Sequence, residues 1–492
     1  MATQRTTSTF QWDTVFAIPV ARVNQAIIKQ KSSPKIFNYS DFQRNAIQGS
    51  FNDWQVAPNG DGKNINMRIP INTVTGLISG FGFALDSAQL IVQVNLEYIP
   101  VAPEEEDEDN NITSFNLKIK NKSTDLDIPV VSLVTSNFIS TPTGQAVTMM
   151  GKEVVEDVIP ALVVNWLNEN LALFAHVFCT VELNKYIDRT AGWKWTKPTD
   201  VGYAYVDGED NQDSLLGILC MTGGRKRTVQ QADILDANAI PDGSVAGFLV
   251  AEERFLEELI MPTIPLQWEN ANLEDFEIVP NGDTSTGKYE WVLQLKKGKI
   301  FAISSVQYQD GGGTYVQNTP QMKSFSIATD GLSLTMTAYT ETDMGSGVVA
   351  WNQSIHEYEM TLGTNGQGQQ TINYKSVGTP VTTHGAYKTE EAVILEWMAI
   401  AVGVIATIVL GVMTDGAAFV AGALIIGVLS GVAADSPDIV KTANTDASPS
   451  TELLSFNTTN PIKWTNSKVF QLTEVRLNGP LQMGGNPNFS LE

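Results

Sequence analysis

The stretch whose reading decides the fold is VILEWMAIAVGVIATIVLGVMTDGAAFVAGALIIGVLSGVA, residues 393–433. It is an apolar, glycine-punctuated run inside an otherwise acidic chain, broken near its middle at Thr414-Asp415-Gly416. Its first arm, Val393 to Met413, has the roughly 20 residues that a helix needs to span a bilayer, and the second, Ala417 to Ala433, sits at the short edge of that range. Glu396 would be costly inside hydrocarbon, and the nearest basic residues, Lys388 and Lys441, form no flanking cluster. The favoured reading is a helical hairpin, apolar on most sides and buried inside the rest of the protein, with membrane insertion as its competitor. Met398, Val402, Ile405 and Val409 share one face of the first arm at helical spacing.

Such a hairpin requires a sheath, and the flanking sequence offers one. Val20, Val23 and Ile27 fall on one face of a helix expected over Ile18 to Gln30, with Pro19 in its first turn. The period then changes to two: Ile65, Met67, Ile69 and Ile71 alternate with mostly polar neighbours, as do Leu90, Val92, Val94, Leu96 and Tyr98. A further strand is expected at Phe115 to Lys120. After Gly151 the helical period returns in Val155, Val158, Ile159, Leu162, Val163 and Trp166, with Pro160 expected to kink the helix or restart it. Leu171 to Asn184 alternates throughout, which predicts one strand of about 45 Å.

The second half follows a similar order. Phe248, Ala251, Phe255, Leu256, Leu259 and Ile260 predict an amphipathic helix ending before Pro262. Strands are expected at Tyr289 to Leu295, Lys299 to Tyr308, Phe325 to Ala328, Leu332 to Thr340 and Ser354 to Met360, then the apolar hairpin, then strands at Leu453 to Asn457 and Val469 to Leu477. Two related modules are therefore expected, residues 1–222 and 246–492, with 223–245 as linker or seam. The tripeptide Lys-Trp-Thr at 194–196 and 463–465 lends weak support. Gly202 to Val206 and Leu215 to Met221 suggest a hairpin.

Composition narrows the function classes. The 492 residues carry 54 acidic against 31 basic side chains, a formal charge of −23, which argues against a nucleic-acid partner. The acidic run Glu104 to Asp109 lacks the glycine and spaced ligands of a calcium loop and reads as a solvated loop, and the same caution applies to Asp207 to Asp213. Cys179 and Cys220 both sit in apolar runs and read as buried hydrophobes, although a fold that juxtaposed them would allow a disulfide. The polar N-terminus has no apolar signal region, so a cytoplasmic location is expected, with release by lysis or a dedicated system left open. His176, His356 and His384 are far apart and in no metal-binding spacing, and neither a phosphate loop, a dinucleotide fingerprint nor a nucleophile elbow is present. No enzymatic activity and no cofactor are expected.

What remains is apolar surface. If helix faces and strands enclosed a gap, it would suit acyl chains or another elongated hydrophobe. Val158, Leu162, Trp166, Phe255 and Leu259 would line it together with the hairpin face, and Arg225, Lys226 and Arg227 would meet a phosphate headgroup if they are not simply a solvated turn.

Several segments resemble the forty-seven-kilodalton protein and OrfX family encoded beside clostridial neurotoxins, of the tubular lipid-binding (TULIP) superfamily. They are Phe10-Gln11-Trp12-Asp13-Thr14-Val15-Phe16-Ala17 leading into Val23-Asn24-Gln25-Ala26-Ile27, Tyr203-Ala204-Tyr205-Val206 with Leu216-Gly217-Ile218-Leu219-Cys220-Met221, Ala246-Gly247-Phe248-Leu249-Val250, and Leu472 to Gly485. The resemblance implies an elongated α+β, TULIP-like fold, with highly curved antiparallel sheets wrapped around long apolar helices. It implies binding of lipid or another hydrophobic small molecule, and an accessory role in a toxin-associated gene cluster. The competing readings are a filled tube that docks a toxin or an OrfX-like protein, and a protein that inserts the 393–433 hairpin into a membrane surface.

Overall fold

The structure, a computed structural model, describes residues 7–100, 114–120, 129–174, 179–182, 193–196, 198–208, 213–264, 271–283, 288–302, 306–309, 315–318, 321–343, 348–378, 381–388, 404–408, 422–426, 462–463 and 470–487. It is mostly sheet, with few helices and one sheet curled into a half-barrel. The chain divides into two compact units. The N-terminal unit comprises Ser8–Leu249, Lys468–Gln471 and Met483–Glu492, and the C-terminal unit Met1–Thr7, Val250–Ser467 and Leu472–Gln482. Residues 223–245 lie within the N-terminal unit.

In the N-terminal unit, β1 (Thr14–Pro19) runs straight into α1 (Val20–Gln30). Pro19 is the extended residue that caps α1, Lys31 ends it in the left-handed region, and Val20, Val23 and Ile27 are buried as the spacing predicts. There follow β2 (Ile36–Ser40), β3 (Ala46–Phe51), β4 (Gln55–Asp61), β5 (Asn64–Ile78), β6 (Phe81–Leu85) and β7 (Ala88–Val94), then β8 (Leu96–Pro100), β9 (Ser114–Ile119) and β10 (Val131–Phe138). A seven-stranded antiparallel sheet has the order β10-β7-β5-β3-β2, with β4 and β6 also paired to β5. The alternation predicted from Ile65 to Ile71 and from Leu90 to Val94 is its buried face. Past Val94 the expected single strand divides, and Leu96–Pro100 joins β9 in a different sheet.

Two helices follow, α2 (Gln145–Met150) and α3 (Lys152–Glu169). Pro160 does not restart α3, which continues through it: Val155, Ile159, Leu162, Val163, Trp166 and Leu167 are buried on both sides of the proline, and that packing outweighs a helix-interior proline's cost of about 3 kcal/mol. Both long helices are clipped to a strand by an asparagine that imitates a backbone edge. Asn24 accepts from Val56 N–H at 2.7 Å and donates to its carbonyl at 3.2 Å, and Asn168 does the same to Val131 at 3.0 and 2.8 Å.

The long strand expected from Leu171 does not start there. Leu171–Leu173 is a tight 3₁₀ turn, and Leu171 and Phe174, three apart, both drop into the core. The strand is β11 (Cys179–Glu182), paired with β9, and 175–178 and 183–184 lie outside the described residues. Next come β12 (Pro198–Val206) and β13 (Leu215–Thr222), the expected hairpin. They belong to a six-stranded sheet ordered β12-β13-β1-β14-β29-β28, in which β14 is Ala246–Val250, β28 Phe470–Leu477 and β29 Leu481–Pro487. Every residue of β13 is buried, because Leu216, Ile218 and Cys220 face the main core while Leu215, Leu219 and Met221 face a second one with Trp12 and Leu235. Burial on both faces explains its unbroken apolar run.

β14 (Ala246–Val250) corrects the helix expected from Phe248, since a segment apolar on both faces suits a central strand. α4 begins only at Glu252 (Glu252–Phe255) and passes through a π turn, Leu256–Ile260, burying Phe255, Leu256, Leu259 and Ile260. The C-terminal unit continues with β15 (Phe276–Asp283), β16 (Lys288–Leu295), β17 (Phe301–Ala302), β18 (Val306–Gln309), β19 (Tyr315–Asn318), β20 (Gln321–Thr329), β21 (Leu334–Asp343), β22 (Val348–Thr364), β23 (Gln370–Ser376) and β24 (Val381–Lys388). Its principal sheet is ordered β15-β16-β20-β21-β22-β23-β27, where β27 is Ile462–Lys463, with β24 also paired to β22.

The helical hairpin expected over 393–433 is overturned where the chain is described. β25 (Val404–Ile408) and β26 (Gly422–Ile426) are antiparallel strands, with Ile405 opposite Ile425. Val404, Ile405, Thr407, Ile408, Ile425 and Ile426 are β-branched and lose side-chain freedom in a helix, and Gly403, Gly422 and Gly427 weaken one further. β27 (Ile462–Lys463), β28 (Phe470–Leu477) and β29 (Leu481–Pro487) complete the chain. Glu104 to Asp109, Leu453 to Asn457 and the second Lys-Trp-Thr beyond Lys463 lie outside the described residues. Among the described residues no helix is long and apolar enough to cross a membrane.

Candidate functional site

The apolar side chains expected to line a ligand channel lie in two separate places. Leu162 and Trp166, both buried, and Val158, partly buried, belong to the main core of the N-terminal unit. There Trp166 meets Phe51 at 5.6 Å and Phe37 at 6.0 Å between ring centroids, Phe51 meets Phe37 at 4.5 Å and Trp54 at 5.6 Å, and Trp54 meets Phe174 at 5.2 Å. The helix-facing surface is thus occupied by the protein's own rings. Phe255 and Leu259 are buried in the C-terminal unit. Ile405 is on β25, so the helical face it was to share is absent there, while Met398, Val402 and Val409 lie outside the described residues.

The basic cluster is drawn inward by acidic partners. Arg225 pairs with Asp13 at 3.3 Å, and buried Asp13 also accepts from Thr222 N–H at 2.7 Å and Thr222 Oγ1 at 3.2 Å. Arg227 pairs with Asp200 and with Asp233, each at 3.3 Å, donates to the Val201 carbonyl at 3.0 Å, and stands 5.5 Å over the Trp12 ring. Lys226 is exposed.

Arg227 also borders a cavity of about 330 Å³, with Lys63, Asn95, Leu96, Glu97, Lys120, Val201, Gly202 and Tyr203. Tyr203 comes from β12, Leu96 from β8, and Lys63 from the turn between β4 and β5. The Tyr203 hydroxyl ties them together, accepting from Leu96 N–H at 3.1 Å and donating to the Lys63 carbonyl at 3.2 Å. Burial, aided by the nearby Asp233 carboxylate, pushes its pKa up to about 12, so at neutral pH it is a fixed donor. Lys63 pairs with Asp233 at 2.8 Å, and among the described residues no carboxylate pairs with Lys120. Gly202 is required by close approach: a Cβ there would lie 2.4 Å from Asp233 Oδ1 and 2.9 Å from Trp12. The cavity volume is at the small end for a ligand pocket, suited to a compact polar group rather than an acyl chain. Of its residues, sequence reasoning gave a binding role only to Arg227. The glycine between Val201 and Tyr203, in a strand otherwise able to carry side chains, was the available signal.

Asp207, in the second acidic run, accepts from Tyr205 Oη at 2.8 Å, Ser214 Oγ at 3.1 Å and Asn59 N–H at 3.1 Å. Its oxygens are engaged by the fold. His356 is buried, with Nδ1 3.3 Å from Tyr358 Oη, while His176 lies outside the described residues and His384 is on β24.

Fold and site together define a large sheet-dominated protein in which aromatic clusters hold helices against curved antiparallel strands. The chain belongs to the OrfX-like family, since the family model described as Protein OrfX2/OrfX3/P47 matches residues 9–485. It is 37% identical to Protein OrfX3 of Paraclostridium bifermentans, across 99% of both chains. It is 33% identical to Protein OrfX3 of Clostridium botulinum (strain Kyoto / Type A2), across 97% of this chain and 98% of the other. P47 from Clostridium botulinum A2 shares the fold with a TM-score of 0.61 at 15% identity, covering 98% of each chain. P47 of Clostridium botulinum E1 does so at 0.60 and 15%, covering 97% and 99%.

Proposed function

We propose that this OrfX-like chain is a non-enzymatic accessory protein of a toxin-associated gene cluster, acting by docking a family member or a toxin through its surface. The observation that supports this most directly is the sealed contact of α3 with its sheet, where Trp166, Phe37, Phe51, Trp54 and Phe174 take the space an acyl chain would need. The groups around the cavity favour a structural role over catalysis, because Arg227 and Lys63 are held by Asp200 and Asp233 and Tyr203 stays protonated. Native mass spectrometry of the purified chain, followed by organic extraction, tests the reading. A mass without lipid, and no uptake of offered phosphatidylcholine or oleate, is expected. A stoichiometric bound lipid would replace this reading with that of a TULIP-type carrier.

The lipid-binding reading stands second because Lys63, Lys120 and Arg227 converge on one cavity. In that reading a phosphate headgroup enters there and Lys120→Ala lowers the uptake.

A further inference from the structure

The outward face of the principal sheet of the C-terminal unit carries an aromatic arrangement that the family assignment does not explain. Along β21, Leu334, Met336, Ala338 and Thr340 are buried, so Thr335, Thr337, Tyr339 and Glu341 point the other way. The register places Glu341 opposite Trp351 on β22, and on β24 sets Tyr387 opposite Val349, Gly385 opposite Trp351, Thr383 opposite Gln353 and Val381 opposite Ile355. Tyr339, Trp351 and Tyr387 therefore share one face. The Tyr339 and Trp351 rings are within 28° of parallel with centroids 6.0 Å apart, and Gly385 leaves the β24 side of Trp351 without a side chain.

The rings are held in place. Tyr339 Oη and Tyr387 Oη each donate to Glu341 Oε1 at 3.0 Å, and Lys323 pairs with Glu341 Oε2 at 3.6 Å. Burial and then the Glu341 contact raise the pKa of the Tyr339 hydroxyl, and the Glu341 contact raises that of Tyr387, so the donors persist at neutral pH. A cross-strand aromatic pair also stabilises a sheet. That role does not require the exposed extension of the face through Tyr387, Ile355 and Val381, which are 42%, 38% and 59% exposed.

We propose that this face binds a neutral oligosaccharide, with Tyr339, Trp351 and Tyr387 as a stacking platform and Gln353 and Thr383 as hydrogen-bonding groups. The negative face of an aromatic ring attracts the C–H-rich face of a pyranose, while side-chain amides and hydroxyls at the edge meet its equatorial hydroxyls. Charge selects the class: Glu341 is matched by Lys323 and Asp343 stands at the strand's end, a balance unfavourable to phosphate-bearing ligands. An acyl chain would cover the polar Thr337, Gln353 and Thr383 without satisfying them.

Isothermal titration calorimetry of the full chain with cellohexaose, maltohexaose, N-acetylchitohexaose and lacto-N-tetraose tests the proposal. Saturable binding of at least one, with a Kd of about 1 mM or tighter, is expected. Tyr387→Ala, at an exposed position that leaves the fold intact, should weaken it about ten-fold, as should Trp351→Ala, whereas Tyr387→Phe keeps the ring and stays within about three-fold. Absence of binding by all four sugars up to about 10 mM would overturn the proposal, as would binding unchanged in both alanine variants. Binding to phosphatidylcholine vesicles that is lost in Tyr387→Ala, without sugar binding, would overturn it in favour of a membrane-contacting face.

Discussion

Two aromatic clusters, one around Trp166 in the N-terminal unit and one around Trp351 in the C-terminal unit, use rings in opposite ways. The first is built from Trp and Phe, buried between α3 and the sheet. The second is built from Trp and Tyr on an outward sheet face, with both Tyr hydroxyls directed to Glu341. The polar tip makes the difference. A Phe ring can be sealed from water at no polar cost, whereas a tyrosine needs a partner and so suits a half-wet surface. One cluster holds a unit together and the other is available for contact.

The strongest way to break that comparison is Trp166→Ala. Loss of the ring at the centre of a sealed cluster should cost about 3–5 kcal/mol in denaturant unfolding, and a loss below about 1 kcal/mol would mean the cluster is not the anchor described. Next, Gly202→Ala would force a Cβ against Asp233 and Trp12 and should cost about 1–3 kcal/mol, read as a lowered Tm, with the Arg227 and Lys63 pairs displaced.

A half-buried carboxyl sharpens the contrast from the other side. Burial, reinforced by Glu290, raises the Glu252 pKa from 4.5 to about 7. The folded chain therefore holds this proton more tightly than the unfolded chain, so the group's stabilisation is full below about pH 4.5 and is lost as pH rises through about 7. Glu252→Gln should remove that slope and stabilise the chain at pH 8 by on the order of 2 kcal/mol, seen by comparing Tm of the two proteins from pH 5 to 8. The smallest effect is expected for Trp351→Ala, under about 1 kcal/mol in the same denaturant assay, because a half-exposed cross-strand pair contributes little. A loss as large as that of Trp166→Ala would erase the distinction between the clusters.

Much of the N-terminal unit was legible in the residues. Pro19 followed by Val20, Val23 and Ile27 marked α1, and the alternation of Ile65 to Ile71 marked a half-buried strand, because in each case a polar face fixed the period. The stretch at 393–433 had no polar face, so length and hydropathy were ambiguous. Its β-branched composition, which favours strands, was the better guide to the pairing at Val404–Ile408. Leu171 to Phe174 misled for a related reason, since residues at i and i+3 satisfy a turn as well as an alternating pattern satisfies a strand. The cavity was the least legible feature. Lys63, Leu96 and Tyr203 are separated by more than a hundred residues in total and meet only through a tyrosine hydroxyl bound to backbone groups. Neither periodicity nor a motif carries that kind of contact.

The way the chain passes between the two units bears on how it is made. The N-terminal unit includes Lys468–Gln471 and Met483–Glu492, and the C-terminal unit includes Met1–Thr7, where Thr7 N–H donates to the Asn478 carbonyl at 2.7 Å and Asn478 Nδ2 to Thr7 Oγ1 at 2.7 Å. During synthesis neither unit can reach its final set of strands until residues beyond 467 have left the ribosome. Pairing over such sequence separations is slow, and the edge of β14 that β29 covers stays open in the interval. Truncations in the 470–487 region should therefore yield aggregates rather than a shorter folded protein.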